Sequence, residues 1–222
     1  MERAALPSGR YIRSLRSGGS IAALAALTAA LPAHAAAENW RFDPVHSQVW
    51  FSAEHQGFSH PQGRLRIKDG WFRFDPKDWG SAQVDVVIDL ASADLGDAKW
   101  NKAVRAGALL GVERHPTARY VSHSVERIDD RRGVIHGELD LHGRRRPVDV
   151  AFTLNRIGKD PYAFARKAGF SASASLTRAD FGMTRYEDVI GPTITLRFEI
   201  EGIADRDAAT RPTGEDANGD QE

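Results

Sequence analysis

The chain has 222 residues, no cysteine, and equal numbers of basic and acidic residues, 30 of each. Without cysteine the protein has neither disulfides nor thiolate nucleophiles. A chain with no net positive charge lacks the basic surface on which nucleic-acid binding usually depends, so we expect no nucleic acid among its partners.

Residues 1–35 have the features of a secretory signal peptide. Basic residues precede an apolar run at residues 21–31, and Ala33-His34-Ala35 offers the small side chains of a cleavage site. The apolar run is too short to cross a bilayer, which needs about 20 residues. We therefore expect cleavage before Ala36 and a mature protein located in the periplasm.

Period-two alternation of apolar and polar residues dominates the rest of the chain and predicts β-strands with one buried face. Residues 193–201 are the clearest case, because Ile194, Leu196, Phe198 and Ile200 alternate with polar residues. Turns rich in glycine, proline and aspartate separate the segments. Eight strands are predicted, at residues 45–55, 65–74, 84–90, 117–125, 134–141, 148–154, 170–176 and 193–201.

Only residues 94–110 have the periodicity of a helix. Asp94 or Asp97 is placed to cap its N-terminus, and Trp100 and Val104 share one apolar face. So many strands with so little helix favour an antiparallel sandwich or barrel.

The C-terminal segment, residues 205–222, is rich in acidic residues and has no aromatic or large aliphatic side chain. Such a composition cannot bury enough apolar surface to fold, so we expect this tail to be disordered. The predicted folded domain is therefore residues 36–204.

Three histidines fall within residues 46–60, which raises the question of a metal or catalytic site. His46 and His55 are nine positions apart, so on an unbroken strand they face opposite sides of the sheet. His60 lies beyond Gly57 in a predicted loop, and the other histidines are scattered. Neither a nucleophile motif nor close metal-ligand spacing is visible. The sequence therefore predicts structural or pocket-lining histidines, with no catalytic residue, no metal site and no cofactor.

A cluster of three arginines at residues 144–146 follows His142-Gly143 and is interpreted as part of a hairpin turn. Two interpretations stay open: a solvated turn whose charges protect the sheet edge, or a basic lip that contacts anionic lipid headgroups. Farther along, Arg178 and Asp180 are placed to form a structural ion pair.

Several short motifs occur in an order that resembles the YceI-like family. Each motif alone is weak, but together they extend over most of residues 38–204. They are Asp43-Pro44-x-His46-Ser47-x-x-x-Phe51-x-x-x-His55-x-Gly57, Gly63-Arg64-Leu65, Gly137-x-Leu139-x-Leu141-His142-Gly143-x-x-x-Pro147-Val148, Gly169-Phe170-x-Ala172 and Arg178-x-Asp180-Phe181-Gly182-Met183. The resemblance implies an all-β fold, an antiparallel eight-stranded lipocalin-like barrel with one or two short helices at one end. Residues 92–116 differ from the usual family pattern, which affects the expected choice of ligand.

The resemblance also implies a carrier rather than an enzyme, whose interior holds a long isoprenoid lipid such as a polyprenyl quinone or polyprenol for storage or transport. An eight-stranded barrel is about wide enough for one slender ligand. Alternation and the resemblance together predict thirteen ligand-contacting residues, with His55 and Trp100 near an entrance. They are Val49, Phe51, Ala53, His55, Val86, Ile88, Trp100, Tyr120, Phe152, Phe170, Ala172, Leu196 and Phe198.

Two alternatives from other classes stay open. A lipid-acting or metal-assisted hydrolase would require His46, His55 and a carboxylate to converge. A protein-interaction or stress-response module would require a barrel that is packed solid. The sequence also leaves open a transient contact with a membrane surface and the formation of a homodimer.

Overall fold

The computed structural model describes residues 37–214, so the predicted signal peptide and residues 215–222 lie outside the described residues. Within this range the chain forms nine strands and one α-helix, α1 (Ala98–Arg105). The strands are β1 (Glu38–Phe42), β2 (Gln48–His55), β3 (Gln62–Phe74), β4 (Gln83–Asp94), β5 (Thr117–Arg127), β6 (Arg132–Leu141), β7 (Arg144–Lys159), β8 (Arg166–Thr177) and β9 (Ile190–Ala204).

The strands form one antiparallel sheet that closes into a barrel. The order β3-β2-β9-β8-β7-β6-β5-β4 returns to β3 through the pairing of β3 with β4. β1 and β2 share one of the eight positions, because each lies between β3 and β9. The structure therefore confirms the predicted antiparallel eight-stranded barrel.

The position shared by β1 and β2 is interrupted by a turn at residues 43–47. Pro44 has no N–H to continue the ladder, and the Asp43 carboxylate instead accepts hydrogen bonds from the amides of Val45 and His46 at 3.1 and 3.3 Å. The sequence prediction missed β1, because five residues followed by Asp-Pro are too few to show alternation.

Helix α1 is shorter than the helix predicted at residues 94–110. Asp97 caps it by accepting hydrogen bonds from the amides of Lys99 and Trp100 at 2.9 and 3.0 Å. The helix stops before Gly107, since glycine is a poor helix former and the apolar spacing alone does not extend it. Among residues 37–214, no helix has the length and apolar composition needed to cross a bilayer.

Antiparallel pairing places the connections at two ends of the barrel, which we call the open end and the closed end. The connections at residues 56–61, 95–116, 142–143 and 178–189 lie at the open end, and those at residues 75–82, 128–131 and 160–165 lie at the closed end. Helix α1 therefore lies at the open end.

The prediction of disorder from residue 205 onward does not hold for residues 205–214. This segment contains a short 3₁₀ turn, and its side chains at Ala208 and Thr213 are buried. It lies against β1 and β3, and the amide of Gly214 donates a hydrogen bond to Asp69 at 3.3 Å. Small side chains are sufficient here because the segment packs on a sheet that is already formed. The rest of the predicted tail lies outside the described residues.

Candidate ligand-binding cavity

The barrel is hollow. It encloses a cavity of about 610 Å³ whose lining extends from Phe74 near the closed end to Trp100 at the open end. The walls are almost wholly apolar, because the inward-facing positions of the strands carry aliphatic and aromatic side chains. A cavity with such walls favours hydrocarbon over water.

Small and medium-sized side chains leave the middle of the barrel unfilled. Ala172 on β8 occupies little of the lumen, and Val86, Ile88 and Leu196 point into the barrel yet are only partly buried. In a core packed to the usual density of protein interiors, such side chains would be fully buried. The lumen is therefore not a solid core. The interaction-module alternative would require one.

Aromatic rings fill the barrel at the closed end. The centroid of the Phe74 ring lies 5.2 Å from those of Trp79 and Phe170, and Trp79 stacks on Phe152 at 5.4 Å. Together with Phe72 these residues form one buried cluster, which we call the aromatic plug. Edge-to-face and stacked contacts of this kind pack large rings closely, so the plug seals this end of the cavity.

The cavity reaches solvent at the opposite end. Trp100, Ala103 and Tyr186 line it there and are exposed, whereas the lining residues Phe74 and Ala82 near the closed end are buried. The open end is therefore the entrance.

The segment at residues 95–116 crosses the entrance from β4 towards the turn between β6 and β7. Near its start the Trp100 ring lies over His55, with the ring centroids 5.6 Å apart. Near its end the His115 ring lies 5.1 Å from the ring of His142. This segment therefore forms part of the rim, in the region whose sequence differs most from the expected family pattern.

All thirteen residues that the sequence predicts as ligand contacts line the cavity. They come from β2 (Val49, Phe51, Ala53, His55), β4 (Val86, Ile88), α1 (Trp100), β5 (Tyr120), β7 (Phe152), β8 (Phe170, Ala172) and β9 (Leu196, Phe198). His55 and Trp100 lie at the entrance, as expected. The contact of these residues with a ligand stays a prediction.

Sequence reasoning missed part of the wall. Leu65 on β3 and Ile194 on β9 follow the same alternation, so this signal could have identified them. Leu109, Leu110 and Val189 also line the cavity but lie in irregular connections. No periodic pattern marks residues of this kind, because their position depends on how the connection folds over the barrel.

Tyr120 brings a hydroxyl group to the cavity wall. Its oxygen lies 3.0 Å from the carbonyl oxygen of Val148 and 3.2 Å from that of Ile135. Burial, with a smaller effect from the nearby Asp149 carboxylate, raises the pKa of Tyr120 well above its usual range. The hydroxyl therefore stays protonated and is engaged by the protein backbone.

Arg178 is a buried cation at the open end. Its guanidinium donates hydrogen bonds to carbonyl oxygens of the chain leading into β9, including those of Ile190 and Gly191 at 3.0 and 3.1 Å. Asp180 is exposed, and the predicted ion pair between the two side chains does not form in the described part of the chain. Arg178 thus holds the backbone of the connection between β8 and β9, and its role is structural.

His46 does not line the cavity. Its Nδ1 donates to the Asp43 carboxylate at 2.8 Å, and the Lys167 ammonium donates to Asp43 at 3.2 Å and to Glu201 at 3.0 Å. His55, by contrast, lies at the entrance. The two histidines that the hydrolase alternative requires therefore do not converge.

Asp43, His46 and Glu201 bring possible metal-ligand atoms within 4.8 Å of one another. The Lys167 ammonium already contacts both carboxylates and supplies the positive charge that they need. Burial of Asp43 opposes ionisation, but hydrogen bonds from His46, Lys167 and backbone amides outweigh it and lower the pKa of Asp43 to about 2. The geometry is that of an ion-pair cluster, which ties the interrupted strand to β8 and β9.

The three arginines at residues 144–146 lie in β7 and not in a hairpin turn. The turn is the preceding pair His142-Gly143, with φ values of 55° and 70°, and strand pairing resumes at once with Leu141 opposite Arg144. Positive φ at both central residues is the geometry of a type I′ hairpin turn, which glycine adopts readily. The arginines are exposed at the open end.

Comparison with known proteins agrees with this architecture. A family model described as the YceI-like domain matches residues 40–202. The UPF0312 proteins of Ectopseudomonas mendocina (strain ymp) and Pseudomonas aeruginosa (strain LESB58) are 33% and 34% identical to this chain over 186 and 187 residues. Each alignment covers 83% of this chain and 97% of the relative.

Two solved structures have the same fold. BcnA of Burkholderia cenocepacia aligns with a TM-score of 0.63 at 20% identity, covering 72% of this chain and 98% of that one. A polyisoprenoid binding domain from Saccharophagus degradans, implicated in plant cell wall breakdown, aligns with a TM-score of 0.54 at 15% identity, covering 75% and 98%. At these identities the structures support the fold alone. The family model and the relatives confirm the resemblance carried by the sequence motifs, and the chain belongs to the YceI-like family.

Proposed function

We propose that this protein is an exported carrier that holds a long isoprenoid chain in the lumen of its barrel. The observation that carries the proposal is the cavity of about 610 Å³, which is apolar, sealed by the aromatic plug at one end and open at the other. A ligand that fits such a space is slender and apolar, with any polar group left at the entrance.

Burial of hydrocarbon supplies the binding free energy in this proposal. Each buried methylene group contributes about 0.8 kcal/mol, so several isoprene units offset the freedom lost on association. Of the charged residues that line the described cavity, Arg178 donates to backbone carbonyls, Arg73 donates to Asn39, and Glu54 lies at the entrance, so a chain inside the barrel meets mainly apolar walls. Affinity therefore depends on the length of chain buried.

Headgroup selection depends on the entrance. Glu54 and His55 line the cavity there, beside Trp100. A few polar groups at the mouth of an apolar pocket are sufficient to distinguish ligands that have similar tails. A polyprenyl quinone or a polyprenol would place its oxygens at this point.

Two further observations support the proposal. One structural neighbour is described as a polyisoprenoid binding domain, and the features of residues 1–35 favour export to the periplasm. A carrier that stores or transports a prenyl lipid is consistent with both. The separation of His46 from His55 favours a binding protein over a hydrolase.

Native mass spectrometry of the protein purified from its host tests the proposal directly. We expect the barrel to retain a prenyl lipid, or to accept one supplied as a polyprenol or a polyprenyl quinone. A barrel that neither retains nor accepts such a lipid would contradict the proposal.

A pair of adjacent substitutions on β8 localises the binding. Ala172→Trp fills the lumen, whereas Ser173→Trp places the same ring on the exposed outer face. We expect lipid uptake to fall by about tenfold or more with Ala172→Trp, because several methylene contacts are lost, and to be unchanged with Ser173→Trp. Equal uptake by the two variants would place the lipid outside the lumen.

A further inference from the structure

Exposed aromatic side chains border the entrance on three separate connections. Phe58 lies in the connection between β2 and β3, Trp100 lies on α1, and Tyr186 lies between β8 and β9. They are 87%, 40% and 52% exposed. Soluble proteins rarely leave several large apolar groups exposed around one opening without an interaction to explain them. Aromatic side chains are also enriched where proteins meet the membrane–water interface.

Exposed rings alone do not identify the surface that is used. Tyr162 and Phe164 are also exposed, in the connection between β7 and β8 at the closed end. The distribution of charge distinguishes the two ends.

Basic side chains follow the rim on one side of the entrance. Lys99 and Lys102 are exposed on α1, and the three arginines at residues 144–146 are exposed at the start of β7. The α1 segment and the arginine segment are in contact along the rim, because Gly111 packs against the His142 ring. Within residues 95–116 the basic residues outnumber the acidic ones: Lys99, Lys102, Arg105 and Arg114 against Asp97 and Glu113.

Acidic side chains are distributed differently. At the open end three of them, Asp180, Glu187 and Asp188, lie in the connection between β8 and β9, on the far side of the entrance and close to Arg185. At the closed end the connections carry Asp75, Asp78, Asp129, Asp130 and Asp160 against Lys77 and Arg131, and basic side chains of the adjoining strands pair with three of these aspartates. The α1 side of the entrance carries an excess of exposed basic side chains, so an anionic surface is attracted to it more strongly than to the closed end.

We propose that the open end docks on an anionic lipid bilayer. The exposed rings of Phe58, Trp100 and Tyr186 would lie at the level of the headgroups, and the basic rim would contact the phosphates. Each lysine near such a surface strengthens binding about fivefold, and the effect is screened by salt. Docking deepens the proposed function, since it brings the entrance to the place where a prenyl lipid leaves the bilayer. It depends on the surface of the protein and not on an occupied lumen.

Vesicle flotation tests the proposal, with the protein produced in and purified from its host. Vesicles of phosphatidylcholine alone are compared with vesicles of equal parts phosphatidylcholine and phosphatidylglycerol, at low and at high salt. We expect binding to the anionic vesicles that falls at high salt, and much weaker binding to the neutral ones. Equal binding to both kinds, or binding to neither, would overturn the proposal.

Charge reversals at the two ends distinguish docking by the open end from non-specific electrostatic attraction of the whole protein to anionic vesicles. Lys99→Glu with Lys102→Glu is expected to weaken binding to anionic vesicles by about twentyfold or more. Lys77→Glu with Lys159→Glu makes the same change at two exposed positions of the closed end and is expected to have little effect. All variants share one N-terminus, so its own affinity for lipid cancels. A loss of the same size in both pairs would contradict docking by the open end.

Aromatic substitutions and the lumen variant complete the design. Phe58→Ser is expected to weaken vesicle binding several-fold and Tyr162→Ser to leave it unchanged, since only Phe58 lies at the entrance. Ala172→Trp should still bind vesicles although it takes up less lipid, so failure of the carrier function and failure of docking are distinguishable. If Phe58→Ser instead dissociates a dimer, as measured by light scattering, and the wild-type protein ignores vesicles, the surface binds a second copy of the chain and the proposal is wrong.

Discussion

Ala168 and Ala172 lie four residues apart on the same inward face of β8, one in the closed end and one in the lumen. Ala168 is fully buried among the rings next to the aromatic plug, whereas Ala172 lines the open cavity. The residue type, the strand and the face are the same. The difference lies in the neighbours, which are large aromatic rings around Ala168 and include aliphatic side chains around Ala172.

The closed end also needs small residues opposite its rings. Gly202 pairs with Ala168, and a Cβ atom at Gly202 would lie 2.3 and 2.5 Å from two atoms of the Phe72 ring. Large rings and minimal partners thus interlock at the closed end, while side chains of intermediate size in the middle of the barrel do not meet across it. Side-chain volume, more than hydrophobicity, separates the packed region from the hollow one.

The largest effect is expected from removing a ring at the closed end. Trp79 is buried in the aromatic plug and donates a hydrogen bond to the carbonyl of Pro76 at 3.1 Å. We expect Trp79→Ala to lower the free energy of unfolding by about 3–5 kcal/mol, because it leaves a cavity in a packed region. Urea denaturation measures the change. A loss of well under 1 kcal/mol would indicate that the closed end is as loosely packed as the lumen.

Enlarging the two alanines sharpens the comparison on a single strand. Ala168→Leu is expected to lower the free energy of unfolding by about 1–3 kcal/mol, since the surrounding rings leave no room. Ala172→Leu is expected to change it by less than about 0.5 kcal/mol, since the added methyl groups enter empty space. The two variants are compared by denaturation without lipid. Similar losses for both would be evidence against a hollow lumen.

The ion-pair cluster on the outer wall beside the closed end makes stability depend on pH. Asp43 contacts Lys167, which also reaches Asp160 in the closed-end connection at 3.3 Å. The folded-state pKa of Asp43, about 2, is lower than its reference value of 3.8. The stabilisation is therefore present above about pH 4 and is lost as the pH falls towards 2.

We accordingly expect Asp43→Asn to lower the free energy of unfolding by about 2 kcal/mol near neutral pH. The difference from the wild-type protein should shrink to nearly nothing as the pH approaches about 2. Asp207→Asn, at an exposed position, serves as the control and is expected to have little effect. Urea denaturation across the acid range measures both. A loss that is independent of pH would show that the ionised carboxylate is not the stabilising species.

The smallest effect on stability is expected at the open end. Trp100 is 40% exposed and lies over His55, while Trp79 at the closed end is 4% exposed. We expect Trp100→Ala to lower the free energy of unfolding by about 1 kcal/mol or less, because much of the ring is already in water. Release of a bound prenyl lipid should become faster, which stopped-flow transfer to vesicles measures. Slower release would mean that Trp100 does not cover the entrance.

The sequence predicted the strands well because alternation is a local property. The inward face of residues 193–201 follows from the pattern alone, and Ile194, Leu196 and Phe198 do line the cavity. The predicted helix at residues 94–110 contains α1 but is longer than it, since the helix stops before Gly107. Strand β1 and the packing of residues 205–214 depend on partners distant in the chain, and no local pattern marks them.

The candidate site could be predicted in composition but not in shape. All thirteen predicted contact residues line the cavity. Twelve of them are strand residues that face the barrel axis, and Trp100 reaches the cavity from α1. The positions of Leu109, Leu110 and Val189 depend on how two long connections fold over the entrance. That folding depends on tertiary contacts, such as those between Arg178 and the carbonyls of Ile190 and Gly191.

By itself the sequence determined which face of each strand is apolar, where most turns fall and to which family the chain belongs. Each of these features depends on short stretches of neighbouring residues. The tertiary structure alone decided that the barrel is solid at one end and hollow beyond it. The space left at the axis depends on the summed volumes of side chains from all eight barrel positions at one level. Which side chains share a level is known only once the barrel is closed and the strand register is fixed. Ala168 and Ala172 then lie at different levels and have different neighbours.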